Sequence, residues 1–200
     1  MTALETALRE ICTDLTAADH SFALVGGLAV SARTEPRFTR DADIAVAVGS
    51  DAEAEALVRG LRARGYEIEA LVEQEAVGRL ATARLTRSRK PSSPVIDLLF
   101  ASSGIENEIV AEAEEIELLP QFLVGVAITA HLIALKVLAR DDVTRPQDVA
   151  DLRALLRVAS AAEVERARAA LTLIAQRGYH RGRDLRGELE KLLRTQQPRR

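Results

Sequence analysis

Between residues 25 and 44 the chain places Gly26-Gly27 directly after an apolar run, and Asp41-Ala42-Asp43 at the opening of the next one. In a strand, side chains alternate faces, so Asp41 and Asp43 point the same way. Two carboxylates on one face repel each other, and each resists dehydration. A shared divalent cation relieves both penalties, and hard oxygen donors suit Mg²⁺. The diglycine supplies the complementary half. Without Cβ atoms, backbone N–H groups approach an anion closely, and a helix starting there points its positive end at it. A metal beside a phosphate is nucleotide chemistry. A third acid, Asp97, stands alone in the apolar run Pro94–Phe100, which has strand length and composition. A lone carboxylate among such neighbours is costly unless something meets it, and a metal ion would.

Each piece also has a plain reading. Gly26-Gly27 on its own is a turn, without the G-x-G-x-x-G spacing of a dinucleotide fingerprint. Asp41 and Asp43 are then loop and strand-start acids, and Asp97 is capped by a backbone amide. Their joint occurrence, in this order and each on its expected element, favours a site.

A second group lies further along. The run His131–Ala139 is apolar apart from its charged member, Lys136, which must snorkel to the edge or meet an anion. Asp148 and Asp151 are three residues apart and share one helix face. A helical hairpin would bring that face to Lys136, holding the lysine charged beside a site or forming a plain interhelical salt bridge.

The elements that must position these residues follow from periodicity. Leu4, Leu8, Ile11 and Leu15 predict a helix over residues 2–18. A strand from Ser21 to Val25 delivers the diglycine, and a short helix over Leu28–Ala32 follows. Residues 33–40 form a polar connection, and Asp43–Val48 is the second strand. Ser50 opens a helix to about Arg64, ended by Gly65. Strands are expected at Tyr66–Ala70 and Leu80–Thr86, then a basic loop through Lys90, with the Asp97 strand closing the sheet. The six glutamates between Glu106 and Glu117 read as a solvated face, and Pro120 breaks the chain. From Thr129 the remainder reads as helical. Thr129 is expected to cap the helix of Lys136, Thr144 and Pro146 to start the next, and Ser160 with Glu163 forms a capping box. Gly178 ends that helix, and Asp184–Leu193 is a fourth. The expected fold is α+β (α/β), a mixed sheet flanked by helices, with a sheet subdomain over 1–120 and a helical subdomain over 121–200.

Composition narrows the classes. With 48% hydrophobic residues, 200 residues bury a sizeable core. No apolar run reaches membrane-spanning length and no signal segment is legible, so a cytoplasmic protein is expected. A single cysteine, Cys12, fits a reducing compartment and reads as a buried small hydrophobe. The three dispersed histidines have no metal-ligand spacing. From Arg177 onward there are eight basic and three acidic residues, a net of +5, which leaves −8 for the rest of a chain whose total is −3. That asymmetry fits a polyanion partner or a solvated helix face.

The diglycine, the Asp-x-Asp strand and the later lone acid together resemble the nucleotidyltransferase superfamily that includes DNA polymerase β. Arg37, Thr39, Asp41 and Asp43, followed by Lys136, Asp148, Asp151 and Leu152, resemble more narrowly the AbiEii-type nucleotidyltransferases, many of them toxins of toxin–antitoxin and phage-defence systems. The resemblance covers roughly residues 20–155. It implies a nucleotidyltransferase-like sheet, and transfer of a nucleoside monophosphate from a nucleoside triphosphate to an acceptor. Two Mg²⁺ ions would be held by Asp41, Asp43 and Asp97. Gly26 and Gly27 would cradle the β- and γ-phosphates and Lys136 would neutralise them. Arg37 and Thr39 would line the nucleotide site, Arg40 would add a phosphate contact or face water, and Asp148 would be a polar partner. The acceptor would be a tRNA end, a partner protein or an aminoglycoside-like molecule. The +5 tail and the Arg84, Arg87, Arg89, Lys90 group favour RNA. A cognate antitoxin is the implied protein partner, and a non-catalytic antitoxin or binding partner of this fold is the alternative.

Overall fold

The computed structural model describes residues 2–87, 93–141 and 146–196. Arg89, Lys90, Thr144, Arg199 and Arg200 therefore lie outside the described residues, and with them most of the expected basic loop. Helix α1 (Ala3–Ala17) opens on a capping box in which Thr2 and Glu5 satisfy each other's backbone N–H groups. It buries Leu8, Ile11, Cys12 and Leu15 against the sheet. Burial pushes the Cys12 thiol up to about 12, so it is an inert packing residue.

Strand β1 (Phe22–Val25) runs straight into α2 (Gly26–Arg33), and β2 (Asp41–Val46) returns beside it. Helix α3 (Asp51–Ala63) then leads to β3 (Glu67–Gln74), β4 (Arg79–Thr86) and β5 (Val95–Leu99). Helix α4 (Glu106–Ala111) precedes a hairpin of β6 (Glu114–Leu119) and β7 (Phe122–Val126). The remainder is α5 (Thr129–Ala139), α6 (Pro146–Val158), α7 (Ala161–Gln176) and α8 (Leu185–Gln196). All the strands join one seven-stranded mixed sheet in the order β3-β4-β5-β2-β1-β7-β6.

Two expectations change. The Asp97 strand does not close the sheet: β5 lies between β4 and β2, and the hairpin β6–β7 extends the other end. The dense acidic charge and Pro120 hide that hairpin's period-two alternation, and Gln121 makes the turn at a φ of +58°. The two strands of that hairpin lie either side of residue 120, β6 pairing with β7 and β7 with β1. Nor are all six glutamates solvated. Glu106 is buried, and its Oε1 accepts the backbone N–H and hydroxyl of both Ser102 and Ser103.

Helix α5 is buried almost all round, packing on α6, α7 and α2. Its start differs from expectation: Thr129 is the first helical residue rather than the cap. Arg33, at the end of α2, donates to the carbonyls of Val126 and Ala127 and pairs with Glu114, fixing α2 over β7.

Candidate active site

The strand registers assemble a single row across the sheet. Val25 pairs with Asp43, Asp43 with Asp97, and Asp97 with Arg84. Directly opposed residues point to the same face, so both acids and the arginine share it. Asp41 pairs with Val95 one pleat earlier, on the same face but exposed at the strand end. This face forms one wall of a cleft of about 420 Å³, and α5 forms the other with Leu132, Leu135 and Lys136.

At the β1–α2 junction Gly26 adopts a φ of +62°, where a side chain is strained. A Cβ there would also lie 1.9 Å from Asp43 Oδ2, so the carboxylate packs against the glycine backbone. The Gly27 N–H lies close enough to Asp43 to favour its charged form. Gly27 is roofed instead by the polar connection: its Cβ would lie 2.7 Å from Arg37 Nη2 and 3.0 Å from Thr39 Oγ1. Arg40 stacks on the exposed ring of Phe38, 5.6 Å from its centroid, at the surface.

The electrostatics of the sheet acids are unbalanced. Burial first, then the neighbouring Asp97, push the Asp43 carboxyl up to about 6. Asp41 adds to this, while Lys136 and the Gly27 N–H pull the other way without prevailing. Asp97 has its own partner: Arg84 donates Nε–H to Oδ1 at 2.9 Å and Nη2–H to Oδ2 at 2.7 Å. Among the described residues no three His, Cys, Asp or Glu side chains form a ready-made metal cluster. Asp41 and Asp43 nevertheless fit a divalent cation, as hard oxygen donors on one face whose mutual repulsion Lys136 and the Gly27 N–H offset only in part. Asp97 fits once its arginine releases it.

Across the cleft the balance is complete. Lys136 Nζ donates to Asp148 Oδ1 at 2.6 Å and lies 2.7 Å from Asp151 Oδ2. Arg37 Nε lies 2.7 Å from Asp151 Oδ1, its Nη2 donates to Oδ2 at 2.8 Å, and Gln147 donates to Oδ1. Burial opposes ionisation of Asp151, but the hydrogen bonds from Lys136, Arg37 and Gln147 outweigh it and hold its carboxyl below the usual range. One arginine thus bridges the diglycine to α6. The Lys136 hairpin forms as an interhelical ion pair, and Arg37 is engaged by Asp151 in the same network.

Sequence reasoning placed Arg84 in a basic group suited to RNA and missed its place in the row. A polar residue alternating through Leu80–Thr86 was the available signal, but its partner depends on a long-range register. Other cations of the same reading are also engaged. Arg87 pairs with Glu10 and Asp14 and stacks on Tyr66. Arg177 holds Glu108, and Arg183 holds Glu188 and the carbonyls of Val137 and Leu138.

Solved structures of nucleotidyltransferases share this fold. An antigenic nucleotidyltransferase-like protein from Paracoccidioides brasiliensis aligns with a TM-score of 0.54 at 17% identity, covering 94% of this chain and 92% of its own. ANT(2'')-Ia in complex with adenylyl-2''-tobramycin aligns at 0.57 and 15% identity, covering 88% and 99%. The lincosamide antibiotic adenylyltransferase LnuA, lincomycin-bound, aligns at 0.51 and 14%, covering 78% and 98%. These likenesses establish the fold as that of nucleotidyltransferases. No curated protein matches the chain in sequence. The family model for the nucleotidyl transferase AbiEii toxin of type IV toxin–antitoxin systems matches residues 7–200, and the chain belongs to that family.

Proposed function

We propose that this enzyme transfers a nucleoside monophosphate from a Mg²⁺-bound triphosphate to a hydroxyl of a tRNA end, and that it acts in the cytoplasm as the toxin of a toxin–antitoxin pair. The carrying observation is the row Val25–Asp43–Asp97 facing Lys136 across one cleft, with Gly26 beneath the first acid. Asp41, Asp43 and Asp97 would hold two Mg²⁺ ions. Ions bound there would supply activation of the attacking hydroxyl and neutralisation of the leaving oxygen. Gly26 lets the triphosphate approach the backbone at the start of α2, and Gly27 lets Arg37 and Thr39 close over it. Lys136, fixed in place by Asp148 and Asp151, would face the phosphates as a cation. The acceptor oxygen forms its bond to the α-phosphorus as the bond to the β-phosphate oxygen breaks, pyrophosphate leaves, and the hydroxyl proton passes to a carboxylate or to water.

The family supports the class of reaction, and the absence of any helix among the described residues long and apolar enough to cross a membrane is compatible with the placement. A small hydroxylated acceptor is the second reading. It is favoured because Arg84, Arg87, Arg177 and Arg183 are engaged within the protein rather than displayed to a polyanion. Incubation with each labelled triphosphate, total tRNA, protein extract and aminoglycosides decides between them. We expect Mg²⁺-dependent labelling of tRNA that Asp43→Asn abolishes. Labelling of aminoglycoside or protein alone would refute the RNA acceptor, and no transfer to any acceptor would refute the proposal.

A further inference from the structure

The row that carries the two acids ends, on β4, in the arginine that engages Asp97 with both arms of its fork. The Asp97 side chain is 12% exposed, whereas that of Arg84 is 48% exposed and lines the same cleft. A bidentate guanidinium–carboxylate pair is the strongest ion-pair geometry available to these side chains. It also engages both Asp97 oxygens, and a second cation brought to the same carboxylate would be repelled by the first.

We propose that Arg84 and a divalent cation compete for Asp97, so that Arg84 sets how tightly the cleft holds the cation. This rests on reading the sheet acids as metal ligands. Three features carry it. The partners are opposed in register, so the strands themselves hold Arg84 at Asp97. The arginine is half in solvent, so its long side chain leaves the pair without disturbing the core. The cleft it would swing into contains Gly26 and faces Lys136, where a triphosphate supplies replacement oxygens. Binding of the cation alone is then weak, because Arg84 must give up its partner for nothing. With nucleotide present the arginine gains a new anion, and metal and nucleotide bind with positive coupling.

The test is Mn²⁺ binding to the full chain, read from the loss of the free-ion EPR signal, with and without a non-hydrolysable triphosphate. Arg84→Ala should bind Mn²⁺ alone about tenfold more tightly than wild type. Arg84→Lys keeps the charge but loses the fork, and should gain about threefold, which carries the test if the alanine variant fails to fold. The Arg84→Ala/Asp97→Asn double variant should bind no better than Asp97→Asn. Nucleotide should strengthen Mn²⁺ binding in wild type more than in Arg84→Ala. Equal Mn²⁺ affinity in wild type, Arg84→Ala and Arg84→Lys, with binding lost in Asp43→Asn, would overturn the competition and leave the metal site standing. Binding unchanged in Asp41→Asn and Asp43→Asn would overturn the metal site and the competition with it.

Discussion

Two acidic groups face each other across one cleft and have opposite fates. On α6, Asp148 and Asp151 meet Lys136, and Asp151 also meets Arg37 and Gln147, so two buried carboxylates are paired with two cations. On the sheet, Arg84 engages Asp97, but Asp43 lies beside Asp97 and Asp41 with only Lys136 and one backbone N–H to offset its own charge, and its carboxyl rises to about 6. The difference separates holding from reacting. A satisfied cluster fixes the hairpin of α5 and α6, together with the polar connection that roofs Gly27. An unsatisfied one stores repulsion that a cation would relieve. The lysine serves both, which is why its removal alone cannot reveal its role.

The largest effect expected is the contrast between Asp43→Asn and Asp151→Asn. The first should lower nucleotide transfer by about a thousandfold or more with the fold intact, by loss of metal-borne stabilisation. The second should leave partly buried Lys136 and Arg37 short of a partner and destabilise the protein by about 3 kcal/mol, measured by urea unfolding. Equal behaviour of the two would erase the distinction.

Next in size are the glycines. Gly26→Ala meets both a positive φ and Asp43 Oδ2 at 1.9 Å, and should abolish transfer. Gly27→Ala displaces Arg37 and Thr39 and should cost about 1–3 kcal/mol of stability. Kinetics and melting on both variants check this order.

The smallest effect is the response to pH without metal. The folded-state pKa of Asp43, about 6, exceeds its ordinary value of 3.8, so the folded protein binds that proton more tightly than the unfolded chain. Its contribution to stability is full below about 3.8 and is lost as pH rises through about 6. Asp151 runs the other way: its contribution is present above the ordinary carboxylate range and lost as pH falls through its lowered value. Asp43→Asn should therefore raise Tm by a few degrees near pH 8 and hardly at all near pH 4. A Tm unchanged at both would show that the sheet acids are not in conflict.

Local rules made much of this legible. Strand parity at Asp41 and Asp43, the single charge in Pro94–Phe100, and the diglycine after an apolar run located the β1–α2 and β2–β5 geometry. The three-residue spacing of Asp148 and Asp151 located the α5–α6 contact. The partners of these residues were not legible. Arg84 reaches Asp97 only through the β4–β5 register, and Arg37 reaches Asp151 across 114 positions of chain. Side-chain pairing at that range follows from packing of whole elements, which composition does not encode. The β6–β7 hairpin was missed for another reason. Five of its strand residues face the core only in part, so its apolar alternation is weak against four nearby glutamates.

The proposed chemistry requires that metal and nucleotide meet at the sheet acids. Thermal melting of wild type, Asp43→Asn and Asp148→Asn, each with Mg²⁺, a nucleoside triphosphate or both, tests this directly. Wild type should be stabilised by the pair more than by the sum of the separate shifts, because each ligand supplies the other's missing charge. Asp148→Asn should melt lower yet keep that excess, and Asp43→Asn should lose it. An excess in Asp43→Asn equal to that of wild type would contradict the account.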